Sequence, residues 1–308
     1  MRRRVLAGTV AFGLIVAMVG VAAAAMFDFG VFRDNELRHK ATMLFGVQQP
    51  LSASATDTAP LATATANSAR LATFAKGLHA RVVTQGVAAP NLDQIALWPD
   101  DVHPTHLIVC NEQDAGDPGL QSIDISTGDV TTLVTGTTEC DPVRRTTWGT
   151  ILFGEEAGGG PAGGRVYELI DPLEVHDVLL DRDTGTFRDG VGADHFVARP
   201  ALGRLSFEGL GILQNGVVYF GDENRPLNGI GGGAIFKFIP AFLREMSAGP
   251  IASLDDSPLA AGAIFGLRLA CGAAPRTTGK ERTKGSAGGC RSRRPRTPTC
   301  DRRPRTRT

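Results

Sequence analysis

One pattern recurs three times in this 308-residue chain and constrains its fold more than any other feature. An apolar stretch ends in two acidic or amide residues, a glycine-containing loop follows, and a second apolar stretch returns. The polar pairs are Asn111–Glu112, Glu155–Glu156 and Asp222–Glu223, and the returning stretches begin at Gly119, Gly164 and Gly233. Carboxylates gathered at strand ends repel one another unless cations neutralise them. The pattern therefore predicts strands whose acidic ends share a cation-binding environment.

The spacing of these repeats indicates the fold class. From residue 81 onward, short apolar stretches alternate with Gly, Pro, Asp and Asn, which is typical of an all-β fold. Phe153 and Phe220 are 67 positions apart, and Gly164 and Gly233 are 69 apart, so the two segments are equivalent parts of successive units. Such repetition predicts a β-propeller with three to four blades of about four strands each. The alternative is a β-sandwich whose hairpins resemble one another.

The N-terminal segment 1–27 has the layout of an export signal. Three arginines precede an uncharged run that closes on four consecutive alanines. The arginines also resemble a twin-arginine signal. The alternative is an uncleaved membrane anchor, because roughly 22 apolar residues suffice to cross a bilayer. We therefore expect an exported protein, either periplasmic, secreted or membrane-anchored on the outer side.

Two further segments differ in composition from the strand region. Residues 28–80 are rich in Ala, Thr and Ser and predict an N-terminal spacer. Residues 274–308 hold twelve Lys or Arg against two acidic residues and no large apolar side chain, so they predict a basic disordered tail. This composition is typical of a high-GC gene read out of frame, and we expect a truncated propeller over 81–273 and no nucleic-acid partner. Because the formal net charge of the chain is zero, the part before the tail carries about −10.

The acidic loops supply the candidate metal ligands. Hard oxygen donors in such number favour Ca²⁺, and a nearby thiolate would add a preference for a transition metal. Single acidic pairs after a strand are also common as solvated turn residues. Cys140 is either such a thiolate ligand or half of a disulfide with Cys110. The candidate ligands are Cys140, Glu155, Glu156, Glu208, Asp222 and Glu223.

Other catalytic patterns are missing from the sequence or weak. The chain has no G-x-S-x-G element for serine acyl transfer, and its histidines show no metal-ligand spacing. Arg144 and Arg145 are candidates to hold a substrate phosphate. The alternative is that both arginines are solvent-exposed.

Three segments of the chain resemble the PhoX-type alkaline phosphatases and their relatives. Residues Thr147–Glu156 look like the "TPWGT…EE" signature, and Gly203–Glu208 is similar to the "GR…HE" segment. Residues Val218–Glu223, followed by Ala234–Phe238, are similar to "VYxGDD…YKF". The likeness covers residues 81–269. The sequence departs from these motifs at Thr147, at Phe207 in place of histidine, and at Gly154.

The resemblance implies an exported β-propeller phosphatase with calcium and iron in its channel. Its substrate would be a small-molecule phosphate monoester, hydrolysed by metal-assisted phosphoryl transfer. By position, the implied ligands are Cys140, Glu155 or Glu156, Glu208 and Asp222. Two alternatives remain open: a non-catalytic calcium-binding extracellular propeller, and a calcium-dependent esterase or lactonase-like propeller.

Overall fold

The computed structural model describes residues 28–47, 60–72, 74, 78–225 and 232–267. The chain divides into two compact units, Met1–Val82 and Val83–Thr308. The predicted export signal at 1–27 and the basic tail at 274–308 lie outside the described residues. Among the described residues, no helix is both long enough and apolar enough to span a membrane.

The first unit contains helices α1 (Phe29–Phe45) and α2 (Leu61–Ala66) and the short 3₁₀ helix Ser68–Arg70. The Asp28 side chain accepts a hydrogen bond from the Val31 amide at 3.1 Å and so caps the start of α1. Gly46 ends the helix with a φ of 66°, a left-handed conformation that glycine adopts without strain. Helix α1 thus occupies part of the segment that composition alone predicted to be a spacer.

The second unit is all-β. Its strands, in chain order, are β1 (Leu92–Trp98), β2 (His106–Asn111), β3 (Pro118–Asp124), β4 (Val130–Thr135), β5 (Cys140–Arg145), β6 (Ile151–Glu155), β7 (Val166–Leu169), β8 (Val178–Asp181), β9 (Thr186–Arg188), β10 (Phe196–Ala198), β11 (Phe207–Ile212), β12 (Val218–Asp222), β13 (Ile235–Pro240) and β14 (Gly262–Gly266).

These strands form three sheets with a common antiparallel order. The sheets run β1-β2-β3-β4, β5-β6-β7-β10 and β11-β12-β13-β14. The β8–β9 hairpin leaves the second sheet and extends the first one, because β8 pairs with β4 in parallel. The first strand of the middle sheet, β5, contacts the first strands of both other sheets, β1 and β11. Successive four-stranded meanders with adjacent first strands are the blades of a β-propeller.

The middle sheet is buried on both faces. Along β6, Ile151 and Phe153 pack into a core shared with the first sheet, whereas Leu152 packs into a core shared with the third. Successive strand residues point to opposite faces, so this alternation shows that the three sheets stack in series. A two-sheet sandwich has no such middle layer, and the propeller prediction is the one confirmed.

Two equivalent glycines fit tightly against the ends of the second strands. A Cβ atom built on Gly164 would lie 2.1 Å from the carbonyl oxygen of Glu155, and one on Gly233 would lie 1.7 Å from that of Asp222. Both obstacles are backbone atoms, which cannot rotate away. The glycine that recurs in the sequence pattern is therefore required where the third strand starts beside the end of the second.

We expect Gly164→Ala to lower the free energy of unfolding by about 1–3 kcal/mol, because relieving the clash requires a backbone shift. Gly116→Ala is the matched control, since nothing lies within 4 Å of its Cβ position. Urea unfolding of both variants measures the difference. Equal stability of the two variants would contradict this account of the repeat.

Candidate functional site

In the two pairs that consist of two acids, the first acid binds donors of the protein itself. Glu155 is fully buried, and each of its oxygens accepts two hydrogen bonds. Oε1 accepts from the Thr138 amide at 3.0 Å and from Arg182 Nε at 2.6 Å, and Oε2 accepts from the Arg165 amide and the Tyr167 hydroxyl, both at 3.1 Å. A carboxylate with four protein donors is committed to the fold.

Asp222 performs the equivalent task in the third sheet. Its Oδ1 accepts hydrogen bonds from the Ser206 and Asn224 amides, each at 3.2 Å. Ser206 directly precedes the first strand of its sheet, as Thr138 nearly does in the middle sheet. The two acids thus join the end of a second strand to the start of a first strand. Glu155 and Asp222 were both predicted as ligands, and in the structure they form these backbone contacts.

The second acid of each pair lines a cavity of 710 Å³. Glu112, Glu156 and Glu223 come from the first, second and third sheets, respectively, and all three lie on the wall of this cavity. Glu139, which precedes β5, is a fourth acid on the same wall. We call these four the cavity carboxylates. The prediction that acidic loops from separate blades converge holds for Glu156 and Glu223, and Glu112 joins them.

The electrostatics of the cavity favour retention of a proton. The pKa of Glu156 is raised to about 7, first by burial and then by its hydrogen bond with Glu223 and by the charges of Glu223, Glu112 and Glu139. The pKa of Glu223 moves the other way, because Arg225 donates to its carboxylate at 2.5 Å. In metal-free protein near neutral pH, Glu156 and Glu223 therefore share a proton that resides mainly on Glu156.

A second acidic group lies on the first strands of the three sheets. Asp93 is on β1, Asp141 on β5 and Glu208 on β11; we call them the inner-strand carboxylates. Asp141 is 1% exposed, and its pKa is raised to about 8 by burial together with the charges of Asp93 and Glu208. Gln94 donates to Asp141 Oδ1 at 3.0 Å, which lowers that pKa somewhat.

Two buried oxygens at this place, one from Asp141 and one from the adjacent Gln94, have no partner in the described part of the chain. Asp141 Oδ2 and Gln94 Oε1 are buried, and neither accepts a hydrogen bond from a described residue. Buried oxygens without donors are costly, and a cation or an ordered water would satisfy them. Sequence reasoning missed Asp141 and Gln94; the available signal for Asp141 was its position directly beside the candidate ligand Cys140.

The structure corrects the role assigned to Cys140. Its sulfur forms a disulfide with Cys110, with the two Cα atoms 5.1 Å apart. A disulfide sulfur has no thiolate charge to offer a cation, so Cys140 is not a metal ligand in this state. Of the two interpretations of this cysteine, the structure contains the disulfide, which joins β2 to β5.

Arg144 and Arg145 lie away from the acidic groups. They are at the far end of β5, about 13 Å (Arg144) and about 16 Å (Arg145) along the strand from Cys140 at ~3.3 Å per residue. Arg144 Nη1 donates to the carbonyl of Val143, and Arg145 forms an ion pair with Asp101 at 3.2 Å. Neither of these two predicted phosphate ligands is among the residues that line the cavity.

Residues of the signature around Trp148 form structural contacts inside the protein. Trp148 Nε1 and the Thr150 hydroxyl each donate to Glu168 Oε1 at 2.6 Å, and all three residues are buried. Phe207, which stands where the resembled motif has histidine, is fully buried 5.5 Å from the ring of Phe220. The side chains at these motif positions pack in the protein interior, and none of them supplies a reacting group.

Metal-ligand geometry is not preformed among the described residues. They contain no group of three or more His, Cys, Asp or Glu side chains close enough to hold one ion. The donor chemistry nevertheless fits a hard cation, because every candidate atom is a carboxylate or amide oxygen and two of them lack partners. A soft or redox-active ion has no free thiolate or imidazole among these donors.

Comparison with known proteins gives little guidance. No protein-family model matches the chain, and no curated protein matches it. A solved gluconolactonase from Xanthomonas campestris is similar over 49% of this chain and 44% of its own, with 14% identity and a TM-score of 0.31. The chain thus spans less than half of that structure. At this TM-score the likeness carries no argument, and the propeller assignment rests on the sheet order and stacking described above.

Proposed function

We propose that this protein is a hydrolase dependent on a hard divalent cation, Ca²⁺ by donor chemistry, which acts on an uncharged carboxylic ester or lactone. One observation carries the proposal: equivalent glutamates of three successive sheets, Glu112, Glu156 and Glu223, line a single cavity. Such crowding of carboxylates is unfavourable in the metal-free protein, as the raised pKa of Glu156 indicates. A cation removes that cost.

The residues that would hold the cation belong to the two acidic groups. The cavity carboxylates supply Glu223, and the inner-strand group supplies Glu208 and the unpartnered oxygen of Asp141, which leaves the Glu156 carboxylate uncoordinated. When bound, the cation would polarise a carbonyl oxygen and lower the pKa of a water molecule. Glu155 and Asp222 keep the neighbouring backbone in place while these side chains adjust.

Glu156 is best placed to move the proton. With a pKa of about 7 it is partly ionised near neutrality, which suits a general base. Its carboxylate would accept a proton from water and return it to the leaving oxygen. Glu223 is held ionised by Arg225, as a ligand of a cation must be.

The charge of the cavity favours an uncharged substrate over a phosphate dianion. Four glutamates face two arginines on the wall, and both arginines are already paired: Arg182 with Glu155 at 2.6 Å and Arg225 with Glu223 at 2.5 Å. A dianion would meet net repulsion unless several cations were bound. An ester or lactone needs only one cation at its carbonyl.

Phosphate monoester hydrolysis is the second candidate. Arg182 and Arg225 on the cavity wall favour it, as does the resemblance to PhoX-type phosphatases. It requires more than one cation to offset the four glutamates. The predicted iron has no free cysteine ligand in this proposal, because Cys140 is in a disulfide.

The test is turnover by the purified full-length protein after EDTA treatment and after addition of Ca²⁺. We expect Ca²⁺ to restore hydrolysis of phenyl acetate or γ-butyrolactone, with much weaker hydrolysis of p-nitrophenyl phosphate. Glu156→Gln should lower kcat by about 10²–10⁴-fold, since it removes the base. The matched control is Glu174→Gln, which changes an exposed glutamate far from these roles.

Each other result separates the candidates. Phosphate ester turnover exceeding ester turnover would support the phosphatase and overturn the proposal. Stabilisation by Ca²⁺ of about 2–3 kcal/mol at 100 times its Kd, without any turnover, would indicate a structural calcium site. Turnover that survives in Glu156→Gln at the wild-type rate would exclude Glu156 as the base.

A further inference from the structure

The β8–β9 hairpin places one arginine in the wall of the cavity. In sequence, this hairpin lies between β7 and β10 of the middle sheet, but its strand β8 pairs with β4 of the first sheet. Arg182 lies in the turn of the hairpin. The Arg165 guanidinium donates to the carbonyls of Arg182 and Asp183, the latter at 2.9 Å, and so fixes the turn. The hairpin is therefore held at its tip as well as along its strands.

The side chain of Arg182 is anchored through one nitrogen. Its Nε donates to Glu155 Oε1 at 2.6 Å, and Glu155 is itself fixed by three other donors. Neither Nη atom donates to any described residue, and the side chain is 28% exposed where it lines the cavity. A guanidinium held by Nε keeps both Nη groups in a fixed plane, which is the arrangement that grips two oxygens of one anion.

We infer that Arg182 forms an anion subsite in the cavity and that its ligand is a singly charged carboxylate. The four cavity carboxylates make a second negative charge on the ligand costly, so a carboxylate is preferred over a phosphate dianion. Under the proposed function, on which this inference rests for its biological meaning, that ligand has the chemistry of the hydroxy acid released from a lactone. The subsite would bind the product acid, or an acidic group on the substrate.

Arg225 provides the internal comparison. It lies on the same cavity wall and also pairs with a glutamate, but both its Nε and Nη2 donate to Glu223, and its side chain is 77% exposed. An exposed guanidinium already engaged through two nitrogens offers less to an anion. The two arginines therefore carry the same charge and line the same cavity, but the guanidinium of Arg182 is better preorganised to bind an anion.

The test is calorimetric binding of 4-hydroxybutyrate to the full chain, with γ-butyrolactone as the uncharged probe and inorganic phosphate as the dianion. Titrations are made both in Ca²⁺ and in EDTA, so that binding to a cation is separated from binding to Arg182. We expect Arg182→Lys to weaken 4-hydroxybutyrate binding about 10-fold in both conditions, because lysine keeps the charge but loses the planar pair of donors. Arg225→Lys should change it less than twofold.

A second measurement needs no variant. Phenylglyoxal modifies arginines with free Nη groups, and peptide mass mapping locates the modified site in wild-type protein. We expect 4-hydroxybutyrate to protect Arg182 and not Arg225. This readout remains decisive if Arg182→Lys fails to fold through loss of the Glu155 contact.

Several results would overturn the subsite. They are absence of carboxylate binding in both conditions, equal weakening by Arg182→Lys and Arg225→Lys, no protection of Arg182, or tighter binding of phosphate than of 4-hydroxybutyrate. Because none of these readouts depends on turnover, failure of the proposed hydrolysis leaves the test of Arg182 intact.

Discussion

Glu168→Ala is expected to lower the free energy of unfolding by about 3–5 kcal/mol, the range for removing one partner from a buried ion pair. Glu168 is fully buried, and its Oε2 accepts from Arg199 Nε at 2.6 Å and from the Ser257 hydroxyl at 2.7 Å. The truncation would leave Arg199, which is 5% exposed, with an uncompensated charge. It would also strand the donors of Trp148 and Thr150, which share the other oxygen.

Urea unfolding compares this variant with Glu174→Ala, which removes an exposed glutamate of the same chain segment. Glu168→Gln should fall between the two, because it keeps the shape and one acceptor but loses the charge. Ser257 follows β13 of the third sheet, and Glu168 lies in β7 of the middle sheet. We therefore expect the loss of stability to appear as a single cooperative unfolding transition that includes both sheets. If Glu168→Ala and Glu174→Ala proved equally stable, the network would not hold these sheets together.

The second large effect is a pH-dependent gain in stability from Asp141→Asn. In the folded protein the pKa of Asp141 is raised to about 8, against 3.8 in the unfolded chain. Below about pH 4 the carboxyl is protonated in both states and costs nothing. As the pH rises toward 8 only the unfolded state releases the proton, so the folded state loses stability, and above pH 8 the full cost is present.

In EDTA, we therefore expect Asp141→Asn and wild type to melt alike near pH 4 and the variant to be more stable by on the order of 3 kcal/mol near pH 9. Saturating Ca²⁺ should reverse the order, because only the wild type offers a carboxylate to the cation. Asp117→Asn, at an exposed loop position, is the matched control. A constant difference between wild type and Asp141→Asn across this pH range would contradict the raised pKa.

The sequence predicted the acidic repeat, but it did not predict that the two acids of a pair have different roles. The pattern predicted that Glu155, Glu156, Asp222 and Glu223 gather between blades, and it treated both members of each pair alike. In a strand, neighbouring side chains point to opposite faces. Glu155 and Asp222 therefore point to donors of the protein, whereas Glu156 and Glu223 point to the cavity.

Of the inner-strand carboxylates, the sequence indicated Glu208 but not Asp93 or Asp141. Asp141 meets Asp93 and Glu208 only because β5 lies beside β1 and β11, and these residues are far apart along the chain. Arg144 and Arg145 pair with Leu152 and Ile151 of the signature in the sheet, but they lie at the opposite end of β5 from Cys140 and Asp141. Closeness to a motif in sequence therefore did not place them beside the acidic end of the strand.

The sequence by itself determined the all-β class, the repeated strand–acid–glycine unit and the concentration of carboxylates, because period and turn chemistry are local properties. Only the tertiary structure decided which oxygens remain free, since that depends on partners brought from other strands. It paired Cys140 with Cys110, it satisfied Glu155 and Glu168 with four donors each, and it left Asp141 Oδ2 and the Nη atoms of Arg182 without partners in the described chain.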